Sequence, residues 1–200
     1  MNLICFDMEG VFTPEIWVNV AAKTGLEALK ITTRDEPDYD KLMRYRIGIL
    51  HQNGITLKYI QDIISSLGLL PGAREFMDWA REKSQVVVVT DSFVEFAMPF
   101  IEKLGKPLVL CHNLVTDNRG MITDYTLRQP DPKRRSVEAF QSLTYRITAV
   151  GDSYNDISML LQAEQGILYR PPTNVKEEYP QLPVTTNYEE LKSEILKSLF

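Results

Sequence analysis

Three short apolar runs, each ending in acids or hydroxyls, organise this chain. Leu3-Ile4-Cys5-Phe6 stops at Asp7, Val86-Val87-Val88-Val89 at Thr90-Asp91-Ser92, and Ile147-Thr148-Ala149-Val150 at Gly151-Asp152. Apolar runs of this length without polar alternation predict strands buried on both faces of a parallel sheet. Between and after them the apolar period lengthens. Val94, Ala97, Met98 and Ile101 have the i, i+3, i+4, i+7 spacing of one helix face, and Leu191, Ile195 and Leu199 repeat it in the last segment. Asn187 offers that last helix an N-cap, with Glu190 three residues on. Strands alternating with helices predict an α/β fold, a doubly wound, mostly parallel, Rossmann-like sheet covered on both faces.

The interval from Asp7 to Thr90 is more than twice the ~30 residues that a strand-helix-strand unit needs. Its excess is itself helical. Ile60, Ile63, Ile64 and Leu67 form one apolar stripe, and Leu42, Tyr45 and Ile49 another. Pro14 is placed to open an earlier helix through Trp17, Val20 and Ala21. The polar stretch from Thr32 to Asp38 reads as a loop between helices. Pro71-Gly72 then starts the helix carrying Ala73, Phe76, Met77 and Ala80. Residues 13–70 are therefore expected to form a small helical cap inserted into a core of residues 1–12 and 71–200. Asp117-Asn118-Arg119-Gly120 predicts the turn of a β-hairpin between Asn113 and Thr126.

Composition narrows the partners. A chain of 200 residues supports one principal domain. Its net charge of −5 argues against nucleic acid, which normally demands a basic face. No stretch approaches the ~18 apolar residues of a membrane span. The start, Met1 to Asp7, lacks the basic segment of a signal peptide, so a cytoplasmic protein is expected. Cys5 and Cys111 lie in apolar runs without metal-type spacing and read as reduced, buried small hydrophobes. His51 and His112 are too scattered for a zinc site or a histidine-based triad, and they receive no role. A homodimer is compatible with the apolar patterning, which does not separate an interface from the core.

In an open parallel sheet, ligands bind beyond the carboxyl ends of the strands. Three such ends here carry Asp7-Met8-Glu9, Thr90-Asp91-Ser92 and Asp152-Ser153-Tyr154-Asn155-Asp156. Asp7, Asp152 and Asp156 gathered in one cleft repel one another, and a hard cation resolves the conflict. Mg²⁺ suits oxygen ligands that leave room for water and a phosphate. A carboxylate beside that ion can attack phosphorus, while a hydroxyl such as Thr90 and a lysine stabilise the phosphoryl oxygens. Lys133, at the start of a helical segment running to Leu143, is a candidate. Spacing alone does not choose it over Arg134 and Arg135. Glu9 lies near enough to Asp7 in sequence to protonate a leaving oxygen and then deprotonate the attacking water or alcohol.

These residues, in this order, resemble the haloacid dehalogenase superfamily. Its pattern is Asp-x-Asp-Gly-Val, a Ser or Thr closing a valine-rich strand, a Lys, and Gly-Asp-x-x-x-Asp. Here these are Asp7-Met8-Glu9-Gly10-Val11, Thr90, Lys133, and Gly151-Asp152 through Asp156. The stretch from Gly151 to Met159 looks like the phosphoserine phosphatase branch. The resemblance implies a nucleophile at Asp7 that also binds Mg²⁺, and an acid/base at Glu9 that offers its carbonyl to the ion. It implies a metal ligand at Asp152 supported by Asp156, and phosphoryl contacts from the Thr90-Asp91-Ser92 segment and Lys133. It further implies cap residues that grip an amino acid, matched by Glu15 for the ammonium (allowing one residue of length difference) and Arg46 for the carboxylate, with Asn155 near the substrate or phosphate.

Two positions depart from the common pattern. Position 9 is Glu where most such phosphatases have Asp, and position 91 is Asp where Gly is usual. Both variants resemble the bifunctional enzymes that hydrolyse phosphoserine and also transfer its phosphoryl group to homoserine. The expected activity is therefore Mg²⁺-dependent phosphoserine hydrolysis with transfer to homoserine. A plain phosphatase for small phosphate esters is the nearest rival. A receiver-like signalling domain phosphorylated on Asp7 shares the acids, hydroxyl and lysine, but such domains are shorter and lack a helical insertion after the first strand.

Overall fold

The computed structural model describes residues 1–32, 35–36 and 38–199. Among these, the strands form one sheet in the order β4-β3-β2-β1-β5-β6-β7. They are β1 (Asn2–Phe6), β2 (Gln85–Phe93), β3 (Leu108–Thr116), β4 (Ile122–Thr126), β5 (Arg146–Gly151), β6 (Gln165–Tyr169) and β7 (Val184–Thr185). All pairings are parallel except β3 with β4, which form the expected hairpin at the edge.

Alternate residues of the central strands point to opposite faces, as the period of a strand requires. Ile4, Phe6, Val88, Val150, Ile167 and Tyr169 belong to one apolar cluster, which takes in Phe76 from α4 (Ala73–Lys83), Phe100 from α5 (Val94–Lys103) and Leu191 from α9 (Tyr188–Leu199). Leu3, Cys5, Val87, Val89, Ile147 and Ala149 belong to the other, with Val137 from α6 (Pro132–Ser142), Leu160 from α7 (Ile157–Gln162) and Val175 from α8 (Thr173–Glu178). The sheet is thus covered on both sides, which is why β1, β2 and β5 read as unbroken apolar runs.

Between β1 and α4 lie α1 (Ile16–Thr24), a short 3₁₀ turn (Glu27–Lys30), α2 (Tyr39–Gln52) and α3 (Leu57–Ser66). The chain leaves and re-enters the sheet layer at one place, where Leu70 N–H donates to Phe12 C=O at 2.9 Å. Helix α2 is tied to the β3–β4 hairpin by Tyr125 Oη donating to Asp40 (2.6 Å) and by the 2.8 Å contact of His51 Nε2 with Ile122 C=O.

The elements differ from the sequence reading in several places. Strand β2 does not stop at Thr90 but continues to Phe93. Val89 pairs with Leu110 and Phe93 with His112, so the intervening residues of β2 bulge out of the ladder. On α5, Met98 is exposed while Phe96 and Phe100 are buried, so the inner face is rotated from the one expected. Tyr45 on α2 is also exposed, and Met43, Arg46, Ile47 and Leu50 face inward beside Leu42 and Ile49. Pro14 lies two residues ahead of Ile16, the first residue of α1, with Glu15 between them as N-cap. Cys111 is only half-buried, unlike Cys5, because β3 lies next to the sheet edge. Of the expected loop from Thr32 to Asp38, Thr33, Arg34 and Pro37 lie outside the described residues. Strands β6 and β7 and helix α8 were not anticipated from the apolar pattern. Among the described residues no helix is long and apolar enough to cross a membrane.

Candidate active site

The carboxyl ends of β1, β2 and β5 open into a cleft of about 750 Å³, roofed by α1, α2 and the 3₁₀ turn. Asp7 is the first residue beyond β1, and its N–H donates to Val150 C=O at 2.9 Å, which fixes it beside β5. Thr90, Asp91 and Ser92 enter the cleft because the bulge in β2 turns them out of the ladder. Pro132-Lys133 begins α6, following Asp131 in the left-handed region at φ 46°. That bend carries Lys133 inward to 2% exposure, while Arg134 pairs with Asp131 and Glu138 and Arg135 is exposed. The choice among the three basic residues is therefore made by the helix start.

Lys133 Nζ donates to Asp7 Oδ1 at 2.9 Å and to Asp156 Oδ1 at 2.6 Å, and lies 3.5 Å from Asp91 Oδ2. The other oxygen of Asp156 accepts from the Asp152 and Ser153 N–H groups at 2.9 and 3.0 Å, so both its oxygens are engaged. Gly151 makes this turn possible, since a Cβ there would lie 2.4 Å from Asp156 Cβ. Asp7, Asp152 and Asp156 each offer an oxygen within 4.8 Å of the others.

Charge in this cluster is unbalanced. Burial, then Asp156, push Asp7 well above the ordinary carboxylate range against the pull of Lys133. Burial and Asp156 raise Asp152 to about 7. For Lys133 burial alone favours the neutral amine, but Asp156, Asp7 and Asp91 together hold it charged, with its pKa well above the usual value. One ammonium cannot neutralise these acids, and the raised carboxyls mark a place where a cation fits.

Glu9 is half-buried, and burial followed by Glu15 raises it to about 8. Its Oε2 accepts from Ile16 N–H, the first residue of α1, at 2.8 Å. Glu15 sits exposed at the rim. Arg46 is buried in the roof, its guanidinium 4.6 Å from the Trp17 ring centroid and Nη2 donating to Ile31 C=O at 2.6 Å. Its Nε has no hydrogen-bond partner, and no acid pairs with it among the described residues. A buried cation with an unused donor in a cleft is a ready anchor for an anionic ligand group. Asn155 is exposed and donates its amide to Asp91 Oδ2 at 2.9 Å.

The structure thus gathers Asp7, Glu9, Glu15, Arg46, Thr90, Asp91, Ser92, Lys133, Asp152 and Asn155 around one cleft, with Asp156 behind it. Sequence reasoning gave no site role to several side chains of that wall, among them His112, Tyr39 and Trp17. His112 lies midway along β3 with 2% exposure, Tyr39 Oη donates to Asp91 C=O at 3.1 Å, and Trp17 underlies Arg46. His112 had a legible signal, because Leu108-Val109-Leu110-Cys111-His112 is another apolar run ending in a polar residue.

The sequence pattern of the haloacid dehalogenase-like hydrolases matches residues 1–164. Phosphoserine phosphatase ThrH of Pseudomonas aeruginosa is 52% identical over 198 residues, covering 99% of this chain and 97% of that protein. A phosphoserine phosphatase of Pseudomonas syringae pv. tomato is 52% identical over 198 residues, covering 99% of this chain and 84% of that protein. Among solved structures, the phospho-aspartyl intermediate analogue of a phosphoserine phosphatase superposes with a TM-score of 0.79 at 20% identity, covering 96% of this chain and 97% of that one. A substrate-bound phosphoserine phosphatase does so with 0.78 at 21%, covering 96% and 97%. The last two likenesses establish the fold. Together with the pattern match and the near full-length relatives, the strand-end cluster around Asp7 makes this chain a member of the haloacid dehalogenase-like hydrolase family.

Proposed function

We propose that the protein hydrolyses phosphoserine with Mg²⁺ through an aspartyl-phosphate on Asp7, and also passes the phosphoryl group to homoserine. The observation that carries this reading is the meeting of Asp7, Thr90 and Asp152, from the carboxyl-end side of three neighbouring strands, with Lys133 from the start of α6. The 52% identity to two phosphoserine phosphatases supports the substrate.

Asp7, Asp152 and the Glu9 carbonyl would hold the ion, with Asp156 keeping Lys133 and the Asp152 turn in place. When bound, it supplies positive charge against the carboxylates and the phosphoryl oxygens. Lys133 and the Thr90 hydroxyl hold the phosphoryl group for in-line attack. An Asp7 oxygen bonds to phosphorus as the bond to the serine oxygen breaks, and Glu9 gives that oxygen its proton. The raised pKa of Glu9, about 8, suits a group that carries a proton at neutral pH. In the second half, Glu9 takes a proton from water or from the homoserine hydroxyl as that oxygen attacks phosphorus and releases Asp7. The free Nε of Arg46 would receive the substrate carboxylate, and Glu15 at the rim its ammonium.

Residues 13–70 would act as the cap over a core of 1–12 and 71–200, hinging where Phe12 and Leu70 meet. Closure would keep water out while the aspartyl-phosphate forms. A receiver-like role finds no support in a hydrolase family with a helical insertion. Phosphate release from phosphoserine, with and without Mg²⁺ and beside Asp7→Asn, tests the first claim, and activity surviving that substitution would end it. Appearance of phosphohomoserine when homoserine is added tests the second, and its absence leaves hydrolysis alone.

A further inference from the structure

His112 has no part in the chemistry above, yet it is a buried polar ring in the wall of the cleft. It pairs with Phe93 just past the bulge that presents Asp91. Arg128 N–H donates to His112 Nδ1 at 3.1 Å. That lone pair is therefore occupied, and in the neutral ring the proton belongs on Nε2. Nε2 in turn faces Asp91 Oδ1 at 3.9 Å, a distance at which the N–H dipole acts through space rather than as a hydrogen bond. Across the same carboxylate, Asn155 Nδ2 donates to Oδ2 at 2.9 Å, and Lys133 Nζ lies 3.5 Å from that oxygen.

The need for such a holder is electrostatic. Asp91 adds a negative charge beside a cleft that has to admit a phosphate dianion, and like charges there cost affinity. Against the effect of burial, Lys133, His112 and Asn155 hold the Asp91 carboxyl down to about 2, so it is ionised throughout the neutral range. The carboxylate is tolerable only while it stays turned onto its donors.

We propose that His112 is a positioning residue, which together with the Asn155 amide keeps the Asp91 carboxylate turned onto Lys133 and away from the incoming phosphoryl group. This rests on the phosphoryl-transfer reading of the cleft. His112 touches neither the reacting atoms nor the proposed metal ligands and acts only through Asp91.

The test is a double-mutant cycle on the full chain with Mg²⁺, combining His112→Leu with Asp91→Asn and reading phosphoserine kinetics and inhibition by inorganic phosphate. His112→Leu should raise KM and the phosphate inhibition constant about three- to fivefold, the scale of a partial charge removed from beside a carboxylate, with kcat within about twofold. His112→Gln, which keeps an N–H donor, should recover most of that loss. On the Asp91→Asn background His112→Leu should add less than about twofold, because no charge remains to be held. An equal loss on both backgrounds would mean that His112 merely packs the wall and would overturn the proposal, as would an unchanged KM. Should His112→Leu fail to fold, His112→Asn, whose shorter amide reaches less far, makes the same comparison. Calorimetry with inorganic phosphate repeats the cycle without turnover. Failure of phosphoserine as substrate, with phosphate binding intact, counts against the functional reading and leaves the cycle to decide on His112. Absence of any phosphate binding overturns both.

Discussion

Gly10 has φ 76°, and a Cβ built on it would lie 2.4 Å from Asp152 Oδ2. The glycine serves two ends at once, a left-handed turn after Glu9 and close approach of the Asp152 carboxyl to the first strand end. Gly10→Ala is expected to cost about 1–3 kcal/mol of stability and to weaken Mg²⁺ binding. Urea unfolding and a metal titration check this, and an unchanged Mg²⁺ affinity would show that Asp152 does not depend on the contact. One residue earlier, the length of Glu9 lets its carboxylate reach Ile16 N–H at the start of α1. Glu9→Asp shortens that reach by about one C–C bond, enough to misplace the oxygen proposed to handle the proton. The expected outcome is a lower ratio of phosphohomoserine to free phosphate. An unchanged ratio would detach the glutamate from acceptor choice.

At the scale of elements, α2 is tied by a hydrogen bond to β2, and α3 by another to α5. Tyr39 Oη reaches Asp91 C=O from the first turn of α2, and Gln61 of α3 donates to Glu95 C=O at 3.0 Å. Tyr39→Phe removes one neutral hydrogen bond, so a stability loss of about 0.5–1.5 kcal/mol is expected. Because that bond spans the cleft, KM should rise by a factor of a few as well, which steady-state kinetics and thermal unfolding together resolve. The helices show where sequence reading falls short. The four apolar positions chosen for α4 are all buried, but on α5 the choice of Met98 over Phe96 and Phe100 was wrong. Both faces of α5 carry apolar residues, and periodicity cannot say which one the sheet covers. The continuation of β2 past Thr90 was illegible for a related reason, since only its neighbour β3 reveals the bulge.

At the scale of the molecule, the acids of the cleft link protonation, metal and stability. Without metal, Asp152 and Glu9 titrate near 7 and 8 in the folded chain, against 3.8 and 4.5 for their free counterparts. The folded state therefore binds more protons than the unfolded one between those values. Stability from these groups is fully present below about pH 4, falls progressively as pH rises, and is gone once pH has passed about 7 to 8. With Asp152 as a proposed ligand, Mg²⁺ would compete with the proton on that carboxyl, so its stabilising effect should grow as pH rises toward about 7. Melting curves at several pH values, with and without Mg²⁺, read both trends. A metal-induced shift that shrank with rising pH would contradict the assignment.

Much of this architecture was written along the chain. Strand interiors, the long helical insertion and the acids at Asp7, Asp152 and Asp156 follow from local order alone, because burial on two faces and the site at strand ends leave marks within a few residues. Other features required the folded chain. Lys133 was separated from Arg134 and Arg135 by a left-handed Asp131, and His112 met Asp91 only because β3 lies beside the bulge in β2. Arg46 was placed over Trp17 by the packing of α2 on α1. Local pattern determines which residues can be buried or can carry charge; the pairing of distant segments decides which charges face one another, since electrostatic interaction depends on separation in space and not along the sequence.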